Sequence, residues 1–582
     1  MIKRTTKGVL NPTFVSILIL FIVSLCLQFV QIQNKNLYLG YDWIFHYNRF
    51  YDAAQQIKEG NFQYFISMYG FSQSGRIINA VYGPMFAYFN GLLLLICGSW
   101  LKYQLLTNFL ITFFSAVSMF FLLKKNEVRT FVSILLAVTF STLNIVQSWT
   151  FNQTLHSWSS VLLPIGLLAA TRLLKEDNRW ESTLFLAFAV TLSMQTHVLT
   201  SLFLVILLSI FFVVGVCTLS NKLNLIKSVV IAAIITIFMT ANVWYPLIET
   251  NFENIMNPPF LNYDFDSAAT QISLFKLPAH ITIVVLSLFV LQFIVVLFIK
   301  TNLLNRLVTI LGFFFFIAST KLFPWNEIIE KIPSISIIQL PSRFLGLAIV
   351  LIILGVGLSI EEGISKKMKV QTIVLYSLLL IIMISGISQH FIASEKRVAI
   401  WNSDSVIAKD KTTIITTEDP TVLRDSFKKT SPLITPLTLF LKPTSDYVPL
   451  KNKNLIGNLA FHPYFEYRKA IFDNKLNSKI KKTIEHKKLV FRWHNDSAKK
   501  QTLPVFVYKR TQIYLNGKLL DNKNVEKNEI GALIVDGKKG KNVLIVKYKA
   551  SFLFYYLLVV AVFSWIGFTG VGIKLIKTKK DT

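Results

Sequence analysis

The sequence predicts a polytopic α-helical membrane protein with about twelve transmembrane helices and an extracytoplasmic β-rich, sandwich-like domain before the last helix. Three observations predict this fold class. Hydrophobic residues make up 53% of the 582 residues and charged residues only 16%, which is too apolar for a soluble protein. Apolar runs long enough to cross a bilayer recur along the chain, and residues 391–551 change to short alternating stretches. Lipid is therefore expected to be part of this protein's solvent.

Twelve apolar runs have roughly the length of a membrane span, about 20 residues. They cover residues 12–32, 104–123, 130–147, 157–174, 182–197, 198–219, 226–248, 279–299, 305–322, 343–362, 371–390 and 552–575. The first run follows Lys3, Arg4 and Lys7 as in a signal peptide, but no small-residue cleavage site comes after it. We therefore expect an uncleaved first span.

The basic residues predict the orientation of these spans. Lys574, Lys577, Lys579 and Lys580 place the C-terminus in the cytoplasm, which puts residues 391–551 outside. Alternation then places five basic loops inside, at 124–129, 172–179, 222–227, 300–306 and 366–369. The N-terminus is also cytoplasmic only if the short apolar segment 84–98 does not cross, so we expect that segment to be juxtamembrane or re-entrant. The sequence thus predicts a multi-pass protein of the cell membrane.

The chain divides into three predicted parts. Residues 1–390 form the transmembrane domain with a first outer loop at 33–103, residues 391–551 form the β-rich domain, and residues 552–582 form the last helix and a basic tail. The stretches LVFRW, LPVFVYK, TQIYLNGKLL and NVLIVKYKA predict strands, and Asn516-Gly517 predicts a two-residue hairpin. No paired-carboxylate or Ser-His-Asp arrangement can be located in the β-rich domain.

The net charge of +29 does not indicate nucleic acid as a partner, because the lysines lie in short loops and one C-terminal block without a nucleic-acid-binding motif. Residues 391–551 carry 31 Lys and Arg against 15 Asp and Glu. This charge either attracts anionic wall polymers or lipid headgroups or is simply a solvated surface. Cys26, Cys97 and Cys217 all lie in apolar runs, so no disulfide framework is expected. An outer domain without cysteines and a bias to Lys, Ile, Asn and Phe are typical of a Gram-positive bacterium with an AT-rich genome.

The first outer loop holds the strongest group of chemical side chains. Asp42, His46 and Arg49 share roughly one face if a helix begins at Asp42. A carboxylate at the membrane surface can act as a general base or hold a divalent cation, while His and Arg can contact a phosphate. Asp42 is equally well placed to cap the helix. Further along the loop, Arg76 precedes a Tyr-Gly-Pro turn and the apolar segment 84–98.

An Asp in a long first outer loop, followed by Tyr-Gly-Pro and an apolar segment, resembles the GT-C class of membrane glycosyltransferases. Four further stretches strengthen the resemblance: MQTHVLTSLFL with His197, FMTANVWYPLIE, KLFPWNEIIEKIPSISIIQLPSRFLGLA with Arg343, and SDYVPL at 445–450, which contains Asp446. Together they resemble the bacterial YfhO-like GT-C proteins, some of which are labelled "6-pyruvoyl-tetrahydropterin synthase-related"; nothing in the sequence supports pterin chemistry. The chain departs from these relatives at Gln339 to Arg343, where QLPSR replaces QFPWR, and at Phe151, Asn152 and His156, where relatives often have Arg and Glu.

The resemblance implies a GT-C-like fold and transfer of a sugar from a polyprenyl-phosphate-linked donor to an extracytoplasmic envelope acceptor such as a teichoic acid or another glycan. Asp42 is then the base or a metal-organising carboxylate, and a divalent cation is compatible with this site. Arg49, His197 and Arg343 are expected to contact the carrier phosphate, Arg76 to bind substrate, and His46 and His156 to assist. On the residues alone, it is equally consistent that Arg343 anchors a helix at the membrane interface and that His197 makes a hydrogen bond between helices.

Two other classes of function remain open. A transporter or flippase of lipid-linked sugars would explain the spans, although no inverted internal repeat is visible. A non-catalytic envelope scaffold would use the basic outer domain. Asp52, on the same predicted helix as Asp42, is expected to be a neutral comparison position.

Overall fold

A computed structural model describes residues 11–175, 179–259, 262, 264–270, 283–298, 300–365, 369–408, 412–458, 461–522 and 524–581. Helices dominate the chain. The first eleven are α1 (Pro12–Cys26), α2 (Phe29–Asn34), α3 (Trp43–Glu59), α4 (Pro84–Cys97), α5 (Trp100–Lys125), α6 (Thr130–Thr142), α7 (Asn144–Asn152), α8 (His156–Arg172), α9 (Arg179–Thr196), α10 (Val198–Thr218) and α11 (Lys222–Met239). The others are α12 (Ala241–Glu253), α13 (Phe265–Ala268), α14 (Ile283–Phe298), α15 (Leu303–Ala318), α16 (Trp325–Lys331), α17 (Leu345–Ser365), α18 (Lys369–Asn402), α19 (Pro420–Asp425), α20 (Thr435–Leu439), α21 (Pro463–Tyr467) and α22 (Phe552–Asp581).

Helices occupy most of each predicted apolar run wherever the run is described. Within the described residues, seven helical segments are long and apolar enough to cross a membrane, and four shorter helices are also apolar. The seven are Trp100–Lys125, Thr130–Asn152, Val198–Thr218, Lys222–Met239, Pro341–Gly363, Ile373–Asn402 and Phe552–Leu575. A multi-pass membrane protein is therefore supported, while the count of twelve spans and the orientation of the termini stay predictions. Lys3, Arg4, Lys7, Lys366 and Lys367 lie outside the described residues.

The segment 84–98 forms the short helix α4, which begins after Gly83 and ends at Gly98, both with positive φ. α4 packs along α3. A Cβ added at Gly91 would lie 2.7 Å from the backbone nitrogen of Ala54, so the two helices meet at a distance that only glycine permits. This contact joins α4 to the helix that carries the candidate site residues. A juxtamembrane position for α4 stays a prediction.

Among its described residues, the C-terminal third contains nine strands, and all of their pairings are antiparallel. Five of them form one sheet in the order β3-β4-β9-β6-β7, and β5 pairs with β8. The strands are β1 (Ile414–Ile415), β2 (Phe440–Leu441), β3 (Lys481–Glu485), β4 (Lys488–Asn495), β5 (Lys499–Phe506), β6 (Thr511–Leu515), β7 (Lys518–Leu520), β8 (Ala532–Gly537) and β9 (Gly540–Tyr548). Asn516 and Gly517, at φ 50° and 84°, form the turn between β6 and β7, which confirms the predicted hairpin.

The predicted division of the chain stays a prediction, and the structure adds two features to it. α18 continues to Asn402, past the boundary placed at 391, because the charged stretch after the apolar run contains no glycine or proline to end the helix. The first outer loop also shares a hydrophobic core with the sheets instead of belonging to the helical domain alone. Phe65 stacks on Tyr548 with ring centroids 4.5 Å apart, and the Phe506 backbone N–H donates to the Ser74 carbonyl at 2.9 Å. This loop and the β-rich region fold as one unit.

Candidate functional site

The start of α3 is fixed against the end of α7. A Cβ added at Gly40 would lie 2.1 Å from the Cα of Asn152, so only glycine fits at this position. The Gly40 N–H donates to the side chain of Gln153 at 2.9 Å, and the Asp42 N–H donates to the Asn152 carbonyl at 3.1 Å. These contacts determine where Asp42 lies.

Asp42 occupies the N-cap position of α3, but its side chain makes no capping hydrogen bond. It lines a large cavity instead and is partly exposed there. The alternative in which Asp42 serves only as a helix cap therefore has no support in this geometry. The backbone of Asp42 still takes part in the helix, because its carbonyl accepts the first hydrogen bond, from the His46 N–H, at 3.1 Å.

This cavity has a volume of about 900 Å³ and two chemically different ends. We call them the polar end and the apolar end. The polar end contains the ionisable side chains Asp42, His46, His197, Arg343, Lys442 and Asp446. The apolar end lies between α9, α10 and α11 and is lined mainly by aliphatic and aromatic side chains, among them Leu186, Val190, Val205, Leu208, Phe212 and Ala233. One continuous space therefore joins charged groups to a hydrocarbon-like channel.

His46 is a buried member of the polar end and is held by Arg49. The Arg49 guanidinium lies 3.2 Å from His46 Nδ1 and, as an obligatory donor, makes Nδ1 the acceptor. The neutral ring consequently carries its proton on Nε2. Burial, followed by the nearby Arg49 and His197, holds the pKa of His46 well below its usual value of 6.5. His46 is thus a neutral hydrogen-bond donor at physiological pH.

Arg49 does not line the cavity, although the sequence analysis expected it to contact a phosphate. Its guanidinium is fully buried and donates to Asn79 Oδ1 at 3.0 Å and to the Tyr82 and Gly83 carbonyls. It also lies over the Tyr82 ring, 4.7 Å from the centroid. A buried guanidinium needs such acceptors, and the Tyr-Gly-Pro turn supplies them. Arg49 therefore fixes the wall of the cavity.

Arg76 is likewise fully buried and outside the cavity lining, which differs from its expected role in binding substrate. It donates to the Asp446 carbonyl at 2.7 Å and to Thr444 Oγ1 at 3.3 Å. Its guanidinium also lies over the rings of Phe71 and Tyr467, at 4.9 and 5.2 Å. Arg76 thus ties the first outer loop to the segment 444–446.

His197 and Arg343 both reach the polar end from span junctions, as expected from their positions. His197 caps α10, where its Nδ1 accepts from the Thr200 N–H at 3.3 Å, so the neutral ring carries its proton on Nε2. Arg343 donates to the Ile338 carbonyl at 2.7 Å and to Gln339 Oε1 at 2.6 Å. His156 begins α8, interacts electrostatically with His197 and does not line the cavity.

Residues 442–447 also contribute to the polar end, and the sequence did not predict this. Lys442 donates to the Tyr41 carbonyl at 2.7 Å beside Asp42, and Asp446 and Tyr447 line the same cavity. Burial raises the pKa of Asp446, while Arg76 and Lys442 act in the opposite direction. The stretch SDYVPL was a visible signal, but the sequence does not show that it faces the first outer loop.

The described residues do not offer a complete protein-made cation site. No group of three or more His, Cys, Asp and Glu able to hold a metal ion occurs among them. Because Mg²⁺ is usually bound by one or two carboxylates together with waters and substrate phosphates, a cation at Asp42 stays a prediction.

Asp52 is unsuitable as the neutral comparison that the sequence suggested. It is 1% exposed, and its Oδ1 accepts from the backbone N–H groups of Met68, Tyr69 and Gly70 at 2.8, 2.7 and 3.1 Å. Gln56 donates to its other oxygen at 2.7 Å. The carboxylate holds the first outer loop on α3, so its replacement removes the partners of buried N–H groups.

Comparisons with known proteins add a coarse likeness to solved structures. No family model matches this sequence, and no curated protein matches it. Among solved structures, the chain is similar to the crystal structure of the Archaeoglobus fulgidus oligosaccharyltransferase in the apo form, with a TM-score of 0.40 and 13% sequence identity. The likeness covers 76% of this chain and 61% of that chain, so this chain spans less than two thirds of the length of its neighbour. The YfhO-like resemblance stays a prediction from the motifs.

Proposed function

We propose that this protein is a GT-C-like membrane glycosyltransferase that moves a sugar from a polyprenyl-phosphate-linked donor to an acceptor in the cell envelope. The observation that carries the proposal is the two-ended cavity. Its ionisable groups suit a sugar phosphate, and its channel between α9, α10 and α11 suits an isoprenoid chain. A ligand made of a sugar phosphate and an isoprenoid chain would occupy both the polar end and the apolar end of the cavity.

In this reaction a hydroxyl oxygen of the acceptor attacks the anomeric carbon of the sugar. A new carbon–oxygen bond forms as the bond to the carrier phosphate breaks, and polyprenyl phosphate leaves with the bonding electrons. Asp42 takes the proton of the attacking hydroxyl as general base. Arg343 and Lys442 offset the negative charge on the leaving phosphate, and the Nε2–H groups of His46 and His197 are available as neutral donors.

The acceptor is a teichoic acid or another envelope glycan, and the reaction takes place outside the cell membrane. Two features support this side of the proposal. The basic loops predict that the first outer loop and residues 391–551 face outward. The excess of Lys and Arg in residues 391–551 favours an anionic polymer near the site.

Replacement of Asp42 tests the mechanism. The change Asp42→Asn keeps the size of the side chain but removes the charge that a base needs. Transfer from undecaprenyl-phosphate-linked sugars by the purified protein should fall by about a hundredfold or more, the usual scale for a general base. Asp496→Asn, an exposed change in the turn after β4, is the matched control and should leave transfer unchanged.

The same pair of variants separates the other classes of function. A transporter or flippase would move lipid-linked sugar across vesicles without forming a product on an acceptor, and Asp42→Asn would not selectively remove a chemical step. A scaffold would bind envelope polymers and consume no donor. Full transfer activity in Asp42→Asn would show that Asp42 is not the base.

A further inference from the structure

We propose that Asp446 is a specificity-determining residue that accepts hydrogen bonds from hydroxyl groups of the sugar on the lipid donor. This inference rests on the proposed function, because it assigns the sugar to one part of the same cavity. The residue comes from the segment after β2, far in sequence from Asp42.

Asp446 lines the same cavity as Arg343 and His197. The charges of Arg76 and Lys442 act on the Asp446 carboxyl, and the charge of Asp42 acts on Arg343. Because a carboxylate repels a phosphate and a guanidinium attracts it, the carrier phosphate is better accommodated at Arg343 than at Asp446.

The backbone around Asp446 is held rigidly from three directions. Arg76 donates to the Asp446 carbonyl at 2.7 Å, the Tyr447 N–H donates to the Asn257 carbonyl at 2.8 Å, and the Tyr508 hydroxyl donates to the Tyr447 carbonyl at 3.0 Å. Tyr447 is also held at φ 62°, which is uncommon for a residue with a side chain. Backbone strain that the surrounding structure maintains in this way is typical of ligand-binding positions.

Arg76 donates to the backbone carbonyl of Asp446, and Asp446 lines the cavity. Burial raises the pKa of this group, so donors that approach it from a ligand stabilise its charged form. Sugar hydroxyls are neutral donors that a carboxylate can accept on both oxygens. Tyr447 and Tyr464 line the same cavity, and their rings offer apolar faces for the carbon–hydrogen side of a sugar.

The test measures binding, not turnover. Purified protein is titrated with undecaprenyl phosphate and with undecaprenyl phosphate that carries one hexose or N-acetylhexosamine, and the ratio of the two affinities is the sugar-dependent gain. We expect a gain of about tenfold or more in the parent for the preferred sugar, the scale of hydrogen bonds to a charged group. Asp446→Asn should lose most of this gain and bind undecaprenyl phosphate within about twofold of the parent.

Each other outcome overturns the inference. A gain retained in Asp446→Asn would mean that the sugar lies elsewhere. An equal loss of affinity for both lipids would mean that Asp446 only maintains the structure. If none of the sugars increased the affinity of the parent protein over that for undecaprenyl phosphate, the site would not recognise the sugar. Asp496→Asn is again the control and should match the parent with both lipids.

Failure of the proposed function is visible separately in a transfer assay on the same samples. If the parent transfers sugar and Asp446→Asn keeps its gain, the inference fails and the glycosyltransferase stands. If the parent shows a gain that depends on Asp446 but transfers nothing, the inference stands and a transporter of lipid-linked sugars replaces the enzyme.

Discussion

The two ends of the cavity are assembled in different ways. The apolar end comes from three consecutive helices, α9 to α11, within residues 179–239. The polar end combines residues at 42–46, 197, 343 and 442–447, which span most of the chain. A hydrocarbon channel needs only apolar faces, which neighbouring helices supply locally. Fixed charges instead need a scaffold that positions each group, and long-range hydrogen bonds provide it here.

The largest expected effect concerns the side of the membrane on which each end lies. After replacement of the three native cysteines, single cysteines at the exposed positions Lys58, Asn251, Glu330 and Lys453 should be labelled from outside by a membrane-impermeant thiol reagent, and one at Lys125 should not. Positions near the polar end would thus be open to the exterior. Labelling at Lys125 together with protection at Lys58 would reverse the orientation and move the site to the cytoplasm.

The next largest effect distinguishes binding of the carrier phosphate from binding of the lipid tail. Arg343→Gln removes the charge that we assign to the phosphate, so the affinity advantage of undecaprenyl phosphate over undecaprenol should fall by at least about tenfold. Undecaprenol itself should bind as before, since the apolar end is unchanged. Arg306→Gln, an exposed change outside the cavity lining, is the control. An unchanged advantage in Arg343→Gln would assign Arg343 to anchoring at the interface.

The smallest effect concerns the apolar end alone. Ala233 is an exposed residue of the cavity lining, and Ala233→Trp places a large ring over the apolar end, where it displaces part of the lipid chain. Loss of two buried methylene groups corresponds to about 1.6 kcal/mol, or roughly tenfold in affinity. A long-chain polyprenyl phosphate should therefore lose about tenfold, while a short-chain analogue should not. Ile234→Trp, on the adjacent lipid-exposed position outside the cavity lining, should leave both affinities unchanged, and equal losses for both chain lengths would argue against a tail channel here.

Sequence patterns predicted the local features well, because these depend on neighbouring residues. The helices, the Asn516-Gly517 hairpin and the sheet region follow from hydropathy and turn chemistry. The resemblance to the GT-C class also singled out Asp42, His197 and Arg343, which the structure brings to one cavity. Their roles in catalysis stay predictions.

The rest depended on contacts between distant segments. Arg49 and Arg76 look like site residues in the sequence because arginine is rarely buried, yet each is enclosed by carbonyls and aromatic rings from elsewhere in the chain. Asp446 is the opposite case, because the sequence does not indicate that it is a site residue. It lines the cavity only because the fold brings its segment, which Arg76 contacts from 370 residues earlier, beside the first outer loop.

The core that joins the first outer loop to the sheets has a consequence for biosynthesis. The Ile77 N–H donates to the Tyr508 hydroxyl, a partner 431 residues later in the chain. At about 5–20 residues per second, a ribosome needs roughly 20–90 s to make the intervening chain. During that time the loop has emerged while Phe65, Ile66 and Ile77 lack the strands that bury them. The nascent loop is therefore made well before the segments that complete its core, and its bond to Tyr508 can form only after that residue has been synthesised.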